Sequence, residues 1–281
     1  MNARVDVLIP TCNRPYALAM TLASLAGQTM PNLRVLVSDQ SDDEGILQKP
    51  EVLAVLRFMH ASGCPVQTWS HLPRRGMAEQ RAFLLAKVEA PYCLFLDDDV
   101  LLERDLIERM HRTIVEQGCG FVGSALHGLS HLETMRPHHQ RIEFWEGRVE
   151  PEMVAPNMPA WERHHLHSAA NLFHAQQKLG LTKEDARIYR VAWVGGCVLF
   201  DTAMLREAGG FDFWHKLPPE HCGEDVLAQL HVMERFGGCG IIPSGAYHME
   251  LPTTIARREV DAPRVLWPQG MAREAETHHA D

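Results

Sequence analysis

The sequence predicts an α/β protein with a mostly parallel central sheet and helices on both of its faces. Two observations carry that reading. From the N-terminus, short apolar runs alternate with segments of helical periodicity, the pattern of successive β/α units joined by right-handed crossovers. The fourth run then ends abruptly in three carboxylates, Asp97, Asp98 and Asp99. Open sheets of this kind bind their ligands there, outside the carboxyl ends of the strands.

The elements follow in order. VDVLI reads as the first strand, Pro15 to Gly27 as a helix, LRVLVS as the second strand and Glu51 to Ala61 as a helix. VQTWSH is a third strand and Met77 to Glu89 a helix. YCLFL, Tyr92 to Leu96, is a fourth strand whose aromatic and aliphatic content suits a sheet covered on both faces. A further helix is expected from about Glu103 to Gln117. Between about Ser124 and Arg190 the pattern weakens to one strand, Arg141 to Val149, and one helix, Trp161 to Leu179, which marks an insertion or lid. Order returns with VAWVGGCVLF, a short helix Thr202 to Ala208, a longer one Gly223 to Phe236, and a closing strand CGIIP. The expected organisation is one domain over residues 1–254, divided into a first half 1–123, the insertion 124–190 and a second half 191–254. A polar tail, 255–281, is expected to fray.

Composition narrows the function classes. With 281 residues, 46% apolar and 22% charged, the chain has the make-up of an ordinary soluble globular protein with a full core. A formal charge of −9 without a lysine or arginine cluster argues against a nucleic-acid partner, so an anionic substrate would need a metal or local positive groups. The start MNARVDVLIP has neither a basic n-region nor a long apolar h-region, and no run reaches the ~20 apolar residues of a membrane span. A cytoplasmic location is expected, with peripheral association at the inner face of a membrane left open. Seven cysteines without a CxxC pair read as reduced, packing thiols. Eight of the 17 histidines lie between His127 and His174, but their spacings match no zinc pattern and no cysteine joins them.

Two carboxylate clusters carry the chemistry. Asp97 and Asp99 emerge at a strand end as hard oxygen ligands suited to Mg²⁺ or Mn²⁺. Mg²⁺ is usually held by one or two carboxylates plus substrate phosphates, which implies a pyrophosphate-bearing substrate. An acidic first turn for the following helix fits the same triplet. In GEDVLAQLHVMERFGG, Val226, Leu230 and Met233 follow helical spacing, so Glu224 and Asp225 lie in the first turn. The positive end of the helix keeps a carboxylate ionised there, and both a cap and a general base fit. A strand-end histidine, His248, follows.

Together these segments resemble the family 2 glycosyltransferases with the GT-A fold, a Rossmann-like architecture. VDVLIPTCNRPYALAMTLASLAGQ is similar to that family's first strand and helix, LRVLVSDQSDD to its second strand and nucleotide-binding turn, and RRGMAEQRAFLLAKVEAPYCLFLDDDV to its glycine–arginine segment and DxD motif. WVGGCVLFDTAMLREAGGFDFW resembles the acceptor-side strand and GGFD turn, GEDVLAQLHVMERFGG the catalytic helix with its ED pair, and IIPSGAYHM the late histidine. The likeness covers roughly residues 4–123 and 191–250.

The resemblance implies an inverting, metal-dependent transfer of a sugar from a nucleoside-diphosphate-sugar donor to a saccharide or lipid-linked saccharide acceptor. Pro10, Thr11, Asn13 and Arg14 would line the nucleotide pocket, with Asp39 on the base. Gly76 would admit the donor, Arg81 would face its sugar or phosphates, and Asp97 and Asp98 belong to the donor side. Asp97, Asp99 and His248 would hold Mn²⁺ or Mg²⁺. Asp225 would be the base and Glu224 an acceptor or sugar contact, while Trp193, Gly195 and Gly196 would lie on the acceptor side. Ala82 stands where the family often has asparagine, and Gln40 where a smaller polar residue is common. Residue-level alternatives also stand: Asn13 and Asp39 as turn formers, Gly195 and Gly196 as a packing bulge, Arg81 as a snorkelling helix residue. Two other functions fit an α/β nucleotide-binding fold less well. A sugar nucleotidyltransferase should carry a glycine-rich phosphate loop, which LIPTCNRPY lacks, and a non-catalytic nucleotide-sugar binding protein would have no need of the carboxylate pair.

Overall fold

A computed structural model describes residues 4–42, 45–254 and 258–267. Its main sheet comprises β1 (Val5–Thr11), β2 (Leu33–Asp39), β3 (Val66–Ser70), β4 (Tyr92–Leu96), β6 (Phe121–Gly123), β7 (Arg187–Tyr189), β8 (Cys197–Asp201) and β9 (Gly238–Ile242). Their order across the sheet is β3-β2-β1-β4-β8-β6-β9-β7. The four strands β3, β2, β1 and β4 are mutually parallel. β8 then runs antiparallel between β4 and β6, and β7 antiparallel at the edge beside β9. A separate two-stranded ribbon pairs β5 (Val100–Leu102) with β10 (Ala246–His248) antiparallel, placing His248 opposite Val100.

The helices are α1 (Pro15–Ala26), α2 (Pro50–Ala61), α3 (Met77–Ala86), α4 (Leu106–Gln117), α5 (Asn171–Leu179), α6 (Thr202–Glu207), α7 (Glu224–Phe236) and α8 (Ala262–Leu266). Strand alternation divides the core between the two faces of the sheet. Val5, Val7 and Ile9 of β1 join α1 and α4 through Leu18, Leu22, Leu106 and Met110. Leu8 of the same strand faces the other cluster, where α3 and α7 contribute Leu84, Leu85, Leu227 and Leu230. Asp6, fully buried in β1, is ionically satisfied: Arg34 reaches both its oxygens at 2.8 and 2.6 Å, and the backbone N–H groups of Glu89 and Ala90 donate to Oδ2.

Four expectations are corrected. The strand over 141–149 reduces to a single antiparallel bridge, Phe144 to Tyr189, against β7, which itself offers only three residues, Arg187–Tyr189. The helix over 161–179 divides into a 3₁₀ stretch, Pro159–His167, and α5, with Ala169 at φ +55° between them. The helix after the aspartates starts at Leu106, since 100–102 is strand. Part of the expected fraying tail, 258–267, packs onto the domain: Cys222 N–H donates to Val260 O, Ala262 N–H donates back to Cys222 O, and Trp267 is buried beside His231. The remainder, 255–257 and 268–281, lies outside the described residues.

Candidate active site

Both carboxylate clusters open onto one cleft of about 480 Å³, at the carboxyl ends of the parallel strands. β1 brings Pro10 and Thr11, the start of α1 brings Arg14, α3 brings Arg81, the end of β4 brings Asp97, Asp98 and Asp99, α7 brings Glu224 and Asp225, and β10 brings His248. Trp193 also lines this cleft. A second cleft of about 360 Å³ adjoins it, lined by Gly195 and Gly196 together with insertion residues including His131, His164 and His167. Asp97, Trp193, Asp225 and His248 line both.

The three aspartates have different environments. Thr11 Oγ1 donates to Asp98 Oδ2 at 2.7 Å, and Arg14 reaches Asp98 at 3.2 Å and Asp99 at 2.8 Å. Burial pushes the Asp98 carboxyl up to about 6, against the pull of Thr11 and Arg14. Burial also acts on Asp99, but His248 and Arg14 outweigh it and its pKa falls below the ordinary value. Asp97 is the most open, with its side chain 36% exposed. Its Oδ1 accepts from Arg81 Nη2 at 3.1 Å.

Arg81 is buried, at 4% exposure, and its Nε donates to Glu224 Oε1 at 3.0 Å. It is therefore an internal clamp between β4 and α7 and not a snorkelling surface residue. Glu224 is equally buried and lines only the first cleft, whereas Asp225 is half-buried and lines both. Burial raises the Asp225 carboxyl to about 7, Glu224 adds to the rise, and Arg81 opposes it. A carboxyl poised there can take up or release a proton near neutrality.

His248 Nε2 stands 3.4 Å from Asp99 Oδ2, while its Nδ1 accepts from Glu250 N–H at 3.1 Å. That pattern assigns the Nε2 proton to the side facing Asp99. As placed, His248 is a donor to Asp99; to bind a metal through Nε2 it would have to give up that proton. Among the described residues no group of three or more His, Cys, Asp or Glu side chains is gathered to hold an ion. Two carboxylates opening on a cleft nevertheless suit Mg²⁺ or Mn²⁺, because such ions take only one or two protein carboxylates and complete their shell with phosphate and water. Asp97 and Asp99 fit that role.

Three residues expected here do not line either cleft. Asn13 is exposed at φ +58° and exchanges hydrogen bonds with Asp42 and Ser41, a turn former. Asp39 is buried and accepts from the backbone and hydroxyl of Ser41. Gly76, at φ +99°, supports the site from behind: a Cβ there would lie 2.6 Å from both His221 Cε1 and Pro219 O. His221 in turn accepts from Ala78 N–H through Nε2 and faces Pro218 O through Nδ1, tying the start of α3 to the approach to α7.

Sequence reasoning missed the contribution of the late segment. Thr253, Thr254, Arg258, Asp261 and Pro263 line the first cleft. Pro252 O accepts from Arg14. Asp261 and Pro263 press on Gly223, the residue before α7: a Cβ there would lie 2.6 Å from Asp261 Oδ1 and 2.9 Å from Pro263 Cδ, and its φ is +76°. The available signal was the run PRVLW, a helix-starting proline followed by apolar residues.

Comparison with known proteins agrees with this geometry. The family model described as Glycosyl transferase family 2 matches residues 6–176. The S. aureus TarS structure in complex with UDP-GlcNAc superposes with a TM-score of 0.54 at 16% identity, over 91% of this chain and 60% of that one. The mannosyltransferase PcManGT from Pyrobaculum calidifontis, in complex with GDP-Man and Mn²⁺, gives a TM-score of 0.51 at 17% identity, over 85% of this chain and 57% of that one. The chain thus spans about three fifths of the length of either structure, and at these identities the likeness establishes the fold, of GT-A type. No curated protein matches the sequence. Among the described residues no helix is long and apolar enough to cross a membrane.

Proposed function

The chain belongs to glycosyl transferase family 2, and from that premise we propose that it transfers a sugar, with inversion, from a nucleoside-diphosphate donor to an acceptor hydroxyl. The observation that carries the reading is the position of Asp225, which lines both clefts together with Asp97 and His248. The first cleft is the donor site. Arg14 and Arg258 lie along it and meet the negative charge of a diphosphate. The second cleft takes the acceptor. Asp225 accepts the proton of the attacking hydroxyl as the new bond forms on the face opposite the leaving diphosphate. Arg81 and Glu224 hold the first turn of α7 in place, so Asp225 is positioned by a neighbour that does not itself reach the acceptor. A divalent ion held by Asp97 and Asp99 would supply charge neutralisation at the diphosphate. His248 orients Asp99.

Thermal unfolding with a panel of nucleotide sugars, with and without Mn²⁺, tests the reading, because a ligand of the native state raises the midpoint according to its affinity. One donor should stabilise the protein in a Mn²⁺-dependent way and be turned over. Stabilisation without turnover of any kind, sugar release to water included, would favour a non-catalytic binding protein.

A further inference from the structure

Arg14 places a cation on the carboxylate proposed to hold the divalent ion. Its Nη1 lies 2.8 Å from Asp99 Oδ2 and 3.2 Å from Asp98 Oδ1, so one guanidinium bridges two of the three strand-end aspartates. The contact is enclosed, with the Arg14 side chain 15% exposed and the Asp98 and Asp99 carboxylates 8% and 5%, and salt screens such a pair little. The other terminal nitrogen, Nη2, donates to Pro252 O, which tethers the guanidinium to the late segment whose Leu251 and Thr253 line the first cleft. The neighbouring groups have partners of their own. Thr11 donates to Asp98 Oδ2, Arg81 donates to Asp97 Oδ1, and His248 Nε2 stands 3.4 Å from Asp99 Oδ2. Among the described residues Arg14 is the one arginine or lysine paired with Asp99.

A divalent ion takes carboxylate oxygens directly. On Asp99 it would stand beside a cation that already neutralises the group, whichever oxygen it takes, and like charges at that range repel strongly where burial limits screening. The ion therefore either shares Asp99 with Arg14 or draws the carboxylate from it, and both weaken its hold. A nucleoside diphosphate resolves the conflict. Its phosphate oxygens give the ion further ligands and give Arg14 a second anion, one that a planar guanidinium can meet with two N–H groups. Arg14 lines the same cleft as Asp97 and Asp99, so it can make that exchange without leaving the site.

We infer that Arg14 is a resident counter-ion of the metal site, which opposes a divalent cation arriving alone and supports one arriving with a nucleoside diphosphate. This role rests on the transferase reading for its ion and its diphosphate, and it adds an order of loading: nucleotide and ion enter together, not the ion first. Mn²⁺ itself is the probe, because the paramagnetic resonance of the free ion reports binding without turnover. The full chain and its Arg14→Gln variant are titrated with Mn²⁺ alone, and then with UDP or GDP at saturating Mn²⁺ by calorimetry. Arg14→Gln should bind Mn²⁺ alone about tenfold more tightly than wild type and the nucleotide about tenfold more weakly, so the two affinities move in opposite directions. An arginine that only bound diphosphate, or only braced the fold, gives no gain in ion affinity. Mn²⁺ binding by folded Arg14→Gln that is equal to or weaker than that of wild type would therefore overturn the inference. Arg14→Lys keeps the charge, so its affinity for Mn²⁺ alone should stay within about threefold of wild type, and a tenfold gain there would overturn the inference even if Arg14→Gln does not fold. Wild-type protein that binds neither UDP nor GDP, or binds them equally with and without Mn²⁺, would count against the reading of the site itself, and the role of Arg14 would fall with it.

Discussion

The guanidinium of Arg81 and the carboxylate of Glu224 form a buried ion pair at 3.0 Å between residues 143 positions apart in sequence. The same guanidinium also holds Asp97, so the strand that ends in the aspartates and the helix that begins with Glu224 and Asp225 share one cation. Removing one partner of a buried pair leaves the other charge stranded, which costs about 3–5 kcal/mol. Arg81→Met should therefore lower the unfolding midpoint by roughly 10 °C, at ~2–4 °C per kcal/mol for a chain of this size. A midpoint within a degree of wild type would show that Arg81 contributes no clamp.

Asp225→Asn tests the base. The N-cap of α7 is Gly223, and asparagine keeps the shape of Asp225 without its charge, so fold and nucleotide affinity should survive, while turnover falls by about two orders of magnitude or more. Steady-state rates together with nucleotide calorimetry give both halves of the test, and an active Asp225→Asn enzyme would refute the assignment.

The pH profile follows from the same residue. Its pKa is raised to about 7 from 3.8, chiefly by burial, and the ionised form is the one that accepts a proton. The value of kcat/KM should rise with pH through about 7 and level off above it. Weakening the opposing pull of Arg81 with a neutral substitution should move that limb to higher pH in whatever protein still folds. A profile flat from pH 5.5 to 8.5 would remove Asp225 from the role.

Metal dependence is expected to centre on Asp99. Calorimetry with nucleoside diphosphate and Mn²⁺ should show affinity lost on chelation and in Asp99→Asn. His248→Ala should have the milder effect, because it orients Asp99 through a hydrogen bond. Equal affinity with and without the ion would sink the metal bridge.

Gly223→Ala tests the late segment. Its φ of +76° and the 2.6 Å approach of Asp261 Oδ1 to a Cβ both oppose any side chain. A destabilisation of about 1–3 kcal/mol in chemical denaturation, with a fall in turnover, is expected.

Much of the first half was legible because each strand and helix there is a local periodic signal, and the aspartates directly follow one of those strands, although its sheet neighbours β1 and β8 are both distant in sequence. Asp225 was legible for the same reason, as the first turn of an amphipathic helix. Other features depend on pairing that no local pattern encodes. The antiparallel insertion of β8 is decided by which edge of β4 is free. The ribbon that sets His248 opposite Val100 joins two three-residue strands, each too short to announce itself. Asn13 and Asp39 were singled out by motif position; in the structure Asp39 Oδ1 accepts from Ser41, and Asn13 bonds across to Ser41 and Asp42 in the loop after β2, a partnership that no local pattern encodes.

The packing of residues 258–267 against Cys222 and Gly223 also bears on when the protein becomes competent during synthesis. Domains can begin to fold while translation continues, and here the sheet, α7 and both carboxylate clusters are encoded before residue 250. The wall supplied by Arg258, Asp261 and Pro263 is not. A nascent chain can thus own both carboxylate clusters of the cleft while the side that Arg258, Asp261 and Pro263 will form still stands open.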